Sequence, residues 1–324
     1  MKFDLFGKIY RLTDWGDTHG DALEGLIEGC PAGLRVDMDF VAAELNRRAP
    51  NDDAFSTKRR EPDCVEFLSG ITDGVTTGES IRFRIPNKDV KVSEANRYVL
   101  KPSHASYTYM RKYGATDNEQ CGRASARQTV CRVVAGAIAK LWLRDRGVRI
   151  TSKVVNIATP AREGDSVGAL VEGRISGLPA GLGEPIYDKF SARLAYAMLS
   201  INAAKGFEYG LGFKAAEMSG SDYHDVQNPD FSFRTNHDGG IQGGITNGEE
   251  VYFRVAFKPI PSVRYDRETI DFEGNKTIMR GSDRNDLCVV PRVLPVVESM
   301  AAMVVMDFYC GNIAENAENM RKPC

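Results

Sequence analysis

The sequence predicts a mixed α+β fold with an internal duplication, and three observations predict it. Val251, Phe253, Val255 and Phe257 alternate with polar neighbours, the period of a half-buried strand. Val130, Val133, Val134, Ala137, Ile138 and Leu141 recur at helical spacing, so helices accompany the strands. The third is an echo. Ile27-Glu-Gly-Cys-Pro-Ala-Gly-Leu34 is matched by Ile175-Ser-Gly-Leu-Pro-Ala-Gly-Leu182. Each copy leads into a helical pattern: Asp37, Phe40, Ala42 and Leu45, then Asp188, Phe190, Ala192 and Leu194. Two strand–turn–helix units with one turn suggest an ancient duplication and approximate two-fold symmetry. No segment reads as a linker, so residues 1–324 are taken as a single domain.

Composition narrows the function classes. A chain of 324 residues that is 42% hydrophobic can bury a large core. With 42 Lys+Arg against 44 Asp+Glu, the formal charge is -2, and nothing global points to nucleic acid or an anionic membrane. Any anion site must come from local clustering. Seven scattered cysteines without a C-x-x-C pair suit reduced thiols in the cytoplasm. The start, MKFDLFGKIYRLTDWG, lacks the apolar core of a signal peptide. The run Val293–Met306 is interrupted by Pro295, Glu298 and Ser299, so it predicts a buried helix rather than a membrane span.

In chain order, Lys8–Thr13 reads as a strand that enters the glycine-bracketed loop Asp14–Gly20, which carries His19. Residues 22–29 form a second strand, and Asp37 caps a helix ending in Arg47 and Arg48. Lys58, Arg59 and Arg60 follow in a loop. Five basic residues around a helix end make either an anion clamp or a solvated basic face. Cys64–Thr72 and Ser80–Ile85 read as strands joined by the turn 73–78. Lys101–Tyr109 contains His104, with Tyr107 and Tyr109 on one face and Tyr113 beyond. Ser125 precedes the first apolar helix, with Gln128 three residues later, a capping-box arrangement. Arg123 and Arg127 flank that cap, and a helix start beside two guanidiniums suits a phosphate or carboxylate. The plainer reading is a capped helix with two solvated arginines. Strands near 148–158 and 167–176 precede the second echo helix, which runs to Met198–Asn202. The glycine-rich stretch Asn236–Gly244 can bring backbone amides to a ligand.

The common cofactor and hydrolase signatures are absent: no G-x-G-x-x-G after a strand, no Walker loop, no H-E-x-x-H, no G-x-S-x-G. Three of the four histidines, His19, His104 and His237, lie in loops beside Gly, Ser or Tyr. Histidine passes protons at neutral pH, so His19 and His104 are acid/base candidates, against a structural hydrogen-bonding role. His237 is balanced between the two, and His224 reads as a surface residue. Their spacing fits no metal site. Such loops on a neutral body suit the binding and protonation of a phosphorylated, carboxylated small molecule.

Taken together, these motifs resemble the chorismate synthase family nearly end to end. Gly16-Asp-Thr-His-Gly20 with Gly29–Leu34, Gly122-Arg-Ala-Ser-Ala-Arg127, and Arg284-Asn-Asp-Leu-Cys-Val-Val-Pro-Arg292 with Glu298 are similar to its three signatures. Arg59-Arg-Glu-Pro62, Pro102-Ser-His-Ala105, Tyr107-Thr-Tyr109, Pro179–Pro185, Ser200-Ile-Asn-Ala203, Gly239–Gly244 and Lys258-Pro259 match in order. The resemblance implies a β-α-β sandwich, helices packed between two antiparallel sheets, assembled as a homotetramer. It implies a lyase that converts 5-enolpyruvylshikimate 3-phosphate to chorismate and phosphate by 1,4-anti elimination with reduced FMN. NADPH enters if the flavin is reduced on the protein itself.

Carried over by position, the resemblance has His19 protonate the departing phosphate and His104 protonate or hydrogen-bond the flavin. Asp286 would take part in removing the C6 proton. Arg48, Arg59, Arg60 and Arg127 would hold the substrate's anionic groups. Arg123, Ala124, Ser125, Asn202, Ala203, Gly243, Lys258, Pro259, Ile260, Pro261, Ser262 and Arg284 would bind the flavin. The chain departs from the family pattern at Asn285 (usually His), Leu287 (Pro), Ser106 (Asp), Ala54 (Arg) and Glu119-Gln-Cys-Gly122 (a glycine run). The connection near 150–163 is also short. Asn285 and Ser106 sit beside proposed catalytic groups, so the alternative is a flavin- or nucleotide-binding homologue with weak or no lyase activity.

Overall fold

The computed structural model describes residues 4–50, 63–88, 94–283 and 286–321. The first half begins with β1 (Leu5–Phe6), β2 (Arg11–Gly16), β3 (Ala22–Glu28) and the helix α1 (Met38–Arg48). Next come β4 (Glu66–Phe67), the small hairpin β5 (Ile71–Thr72) and β6 (Val75–Thr76), and β7 (Ile81–Pro86). β1, β2, β3, β7 and β4 form an antiparallel sheet in that order. Two helices follow, α2 (Ser106–Tyr113) and α3 (Thr129–Arg144).

The second half carries β8 (Arg149–Ile157), β9 (Ala169–Ser176), α4 (Phe190–Leu199) and β10 (Ala204–Tyr209). The short helix α5 (Gly220–Tyr223), the hairpin β11 (Ile241–Gln242) and β12 (Ile245–Thr246), and β13 (Val251–Phe257) come next. A ribbon of β14 (Arg267–Ile270) and β15 (Lys276–Met279) precedes the last helix, α6 (Leu294–Arg321). The second sheet runs β10-β13-β9-β8 and is also antiparallel.

α3 and α6 are the centre of the core. From Val130 to Leu143, α3 is buried on every side except at Arg132 and Lys140. A helix apolar all round belongs in an interior. α6 is buried from Val296 to Asp307, and its membrane-length apolar stretch Leu294–Asn312 is 67% buried. α3 touches β2, β3 and β8, while α6 touches β8 and β9. The two helices meet where Gly136 faces Ser299: a Cβ on Gly136 would lie 2.1 Å from that of Ser299.

Two contacts of the first sheet have a counterpart at the second. Phe83 lies over Gly25 in the first sheet and Phe253 over Gly173 in the second, each ring occupying the space of a glycine side chain. Thr76 Oγ1 donates to Pro31 O and accepts from Leu34 N; Thr246 Oγ1 donates to Pro179 O and accepts from Leu182 N.

Four local expectations are corrected. The strand expected at Lys8–Thr13 starts at Arg11 and continues to Gly16, because Asp307 takes the amides of Lys8, Ile9 and Tyr10. Cys64–Thr72 is not one strand: Gly70, at φ 76°, breaks it into β4 and the β5–β6 hairpin. Tyr107 and Tyr109 do not share a face, since the segment is helical and Tyr109 meets Tyr113 at 5.1 Å. Ser125 forms no capping box. Its Oγ accepts from Arg127 N (3.2 Å), while Gln128 reaches Arg123 and Gly16 instead. A short 3₁₀ turn, Ala126–Gln128, then intervenes before α3. The cap at Asp37 stands, its carboxylate accepting from Phe40 N at 3.0 Å.

Candidate active site

The arginines at the end of α1 face opposite ways. Arg47 turns to Glu44 and Glu298. Arg48, only 3% exposed, turns inward and donates through Nε and Nη2 to Asp63 Oδ2 at 3.0 and 2.8 Å. Arg127 meets the other oxygen of the same carboxylate. Burial opposes charge on Asp63, but the guanidiniums of Arg48 and Arg127 win and hold its pKa below the usual carboxylate range. Arg292 extends the cluster: its Nε donates to Arg48 O (2.9 Å) and its Nη1 pairs with Asp286. Arg48, Arg127 and Asp286 are thus brought together by residues far apart in sequence.

His19 sits at the tip of the loop after β2. Asp17 Oδ1 closes that loop by accepting from His19 N (2.8 Å) and Gly20 N (3.0 Å). Arg123 holds its base, with Nη1 on Gly16 O at 2.9 Å. The Arg123 guanidinium is also paired with Asp4 and Asp14, at 2.6 and 2.8 Å. Arg123, Asn202, Tyr109, Tyr113 and Tyr196 line a cavity of about 350 Å³.

His104 precedes α2, half-buried. Burial, then the ammonium groups of Lys101 and Lys258, push its imidazole down to about 4. It is therefore neutral at pH 7. Lys258 Nζ donates to Ser103 O, and Lys258 N donates to Ala203 O at 3.0 Å. Asn202 Nδ2 donates to Ala124 O at 3.0 Å. Ala203 holds a left-handed φ of 68°, unusual for a residue with a Cβ. Gly243, at φ 62°, faces open space. His237 is a loop pin, its Nδ1 on Tyr223 O and its amide on Asp225. His224 is exposed. Arg59, Arg60 and Arg284 lie outside the described residues, as do Ala54, Asn285 and the motif Arg59–Pro62.

The model of the family described as chorismate synthase matches residues 10–162 and 156–310. The chain belongs to the chorismate synthase family. It is 46% identical to the chorismate synthase of Christiangramia forsetii, over 96% of this chain and 99% of that one. It is 43% identical to that of Phocaeicola vulgatus, over 95% and 98%. A crystal structure of chorismate synthase superposes with a TM-score of 0.74 at 28% identity, covering 95% of this chain and 93% of the other. The chain is accordingly a lyase that turns 5-enolpyruvylshikimate 3-phosphate into chorismate and phosphate.

Against that family, Ser106 finds an explanation. Fully buried, its Oγ donates to Asn118 Oδ1 at 2.6 Å, and Asn118 Nδ2 donates to the carbonyls of Asn96, Arg97 and Val99. A carboxylate at 106 could not donate to that oxygen, so Ser106 and Asn118 belong together. The family works with a reduced flavin, and the donor set here suits one. Lys101, His104 and Lys258 present cationic or donor groups, and the charges that act on His104 are those of the two ammonium groups. An anion beside them would relieve that repulsion. Sequence reasoning missed Asp63, which meets Arg48 and Arg127, Asn87, whose Oδ1 accepts from Arg127 Nε, and Lys101, whose charge acts on His104. A carboxylate directly after the Arg59–Pro62 stretch was the one available signal.

Proposed function

We propose that His19, Arg48, Arg127, His104 and Asp286 form one active site for the elimination. The observation that carries this for all of them but His104 is a continuous hydrogen-bonded chain. It runs from Asp286 through Arg292, Arg48, Asp63 and Arg127 to Asn87, which holds the His19 loop. The reaction needs a proton removed at one end of the diene system and phosphate released at the other. Asp286 serves the proton end and His19 the phosphate end, protonating the departing group or keeping it monoanionic. Arg48 and Arg127, with Arg59 and Arg60, bind the phosphate and carboxylates, where guanidiniums offset developing negative charge.

The flavin ligands are Arg123, Ala124, Ser125, Asn202, Ala203, Gly243, Lys258, Pro259, Ile260, Pro261, Ser262 and Arg284. Reduced FMN held there supplies electron density as phosphate departs. His104, neutral without an anion, would hydrogen-bond that group and would take up a proton if negative charge arrived beside Lys101 and Lys258. NADPH is required only if the protein reduces its own flavin.

The same reading gives one domain, two related halves and helices sandwiched between the sheets, supported by the paired glycines and threonines and by α3 touching both sheets. It gives a cytoplasmic homotetramer acting on a small molecule, with no nucleic-acid or membrane partner. Tyr187, Phe213 and Phe231, each at least 80% exposed, are apolar surface that other protomers would cover.

The test is anaerobic. Protein, 5-enolpyruvylshikimate 3-phosphate and chemically reduced FMN are mixed, and chorismate and phosphate are followed. Turnover should require reduced FMN and fall about a hundredfold or more in His104→Ala. Full activity in that variant would remove His104 from the mechanism.

A further inference from the structure

Asn87 follows β7 and belongs to none of the motifs that mark the site. Its side chain nevertheless joins two of the proposed active-site elements. Nδ2 donates to Asp17 O at 3.0 Å and to Gly20 O at 2.8 Å, the carbonyls on either side of Thr18 and His19. Oδ1 accepts from Arg127 Nε at 3.1 Å. The partners settle which way the amide points, because carbonyls only accept and a guanidinium only donates. The backbone N–H of Asn87 adds a bond to Asp21 O at 2.9 Å.

The His19 loop has its own closure through Asp17, and Arg123 holds its base. Neither interaction fixes the tip of the loop relative to Arg127. Only the Asn87 carboxamide does both among the described residues. A general acid must lie within hydrogen-bond reach of its target, and displacement by about 1 Å costs orders of magnitude in rate.

We infer that Asn87 is a positioning residue, setting the His19 loop and Arg127 in one register so that acid and guanidinium converge on the same leaving phosphate. This rests on the role given to His19 above. Asn87 acts through its neighbours and donates nothing to the substrate itself.

The experiment is a double-mutant cycle with His19→Ala, read as kcat and KM for 5-enolpyruvylshikimate 3-phosphate under anaerobic conditions with excess reduced FMN. Asn87→Asp still accepts from Arg127 but cannot donate to Asp17 O or Gly20 O. It should lower kcat about tenfold to a hundredfold with KM changed less than about threefold. Asn87→Ala loses both contacts and should raise KM as well. In the His19→Ala background, Asn87→Asp should cause no further loss beyond about twofold. A direct effect of the new carboxylate on phosphate would persist in that background, so the cycle separates it from positioning.

Losses that multiply in full, or an Asn87→Asp variant with the parent kcat, would overturn the inference while leaving His19 in place. Parent activity in His19→Ala would overturn the role of His19, and the inference with it. Thermal melting accompanies each variant, and Asn87→Asp carries the test should Asn87→Ala not fold.

Discussion

Asp63 illustrates how one side chain sets the character of a site. Two buried guanidiniums face its two oxygens, so removing the negative charge leaves Arg48 and Arg127 in mutual repulsion. Breaking a buried pair in this way costs about 3–5 kcal/mol. Asp63→Asn should therefore be markedly less stable than the parent. Thermal melts at pH 7 decide this: a Tm within about 2 °C of the parent's would show that the carboxylate charge does not hold the two arginines together. The arginines themselves were legible, since clustered basic residues near helix ends imply anions. Their partner was not, because Asp63 meets Arg127 across 64 residues, and Asn87 carries no charge that a sequence pattern could flag.

Among the elements, α3 and α6 show what periodicity can and cannot convey. Small residues at Ala135, Gly136, Ala137 and Ala139 imply a close approach, because residues without bulk let backbones meet. The partner was invisible, since Ser299 is more than 160 positions away. An alanine in a helix interior normally gains about 1 kcal/mol over glycine. Here the added methyl would meet Ser299 at 2.1 Å, with its backbone at 2.4 Å. Gly136→Ala should instead lose about 1–3 kcal/mol by forcing the helices apart. Urea unfolding is the check, with a lowered midpoint and an unchanged slope expected; a raised midpoint would mean that the helices have room to shift. Boundaries failed for a related reason. Lys8–Tyr10 alternates like a strand, yet Asp307, almost 300 positions away, draws its amides into a bend. Ser125 and Gln128 have capping-box spacing, but Arg123 captures the glutamine first. Local pattern announces an element, and distant polar groups decide where it ends.

At the scale of the whole molecule, Glu298 ties together four elements. From α6 it accepts from Arg47 of α1, Lys140 of α3, and both the amide and hydroxyl of Ser152 in β8. Its carboxylate is 4% exposed. Burial resists its charge, but the hydrogen bonds and charges of Arg47 and Lys140 prevail and hold it at about 2. A pKa lowered on folding stabilises the protein above the unfolded value near 4.5, and the gain vanishes as pH falls through the folded value. A shift of that size corresponds to about 3 kcal/mol, present at neutral pH and lost between about pH 4.5 and 2. The loss would loosen α1, α3, α6 and β8 at once, and with them Arg48, which follows Arg47 directly. Glu298→Gln should therefore be less stable than the parent at pH 7, and the gap should narrow steadily as pH falls below 4.5. Glu44 stays beside Arg47 and Lys140 as their remaining counter-ion, which favours a folded variant. Urea midpoints at pH 7, 4 and 3 measure that gap; one that stayed constant over this range would show that the stability of the assembled core does not depend on the Glu298 charge.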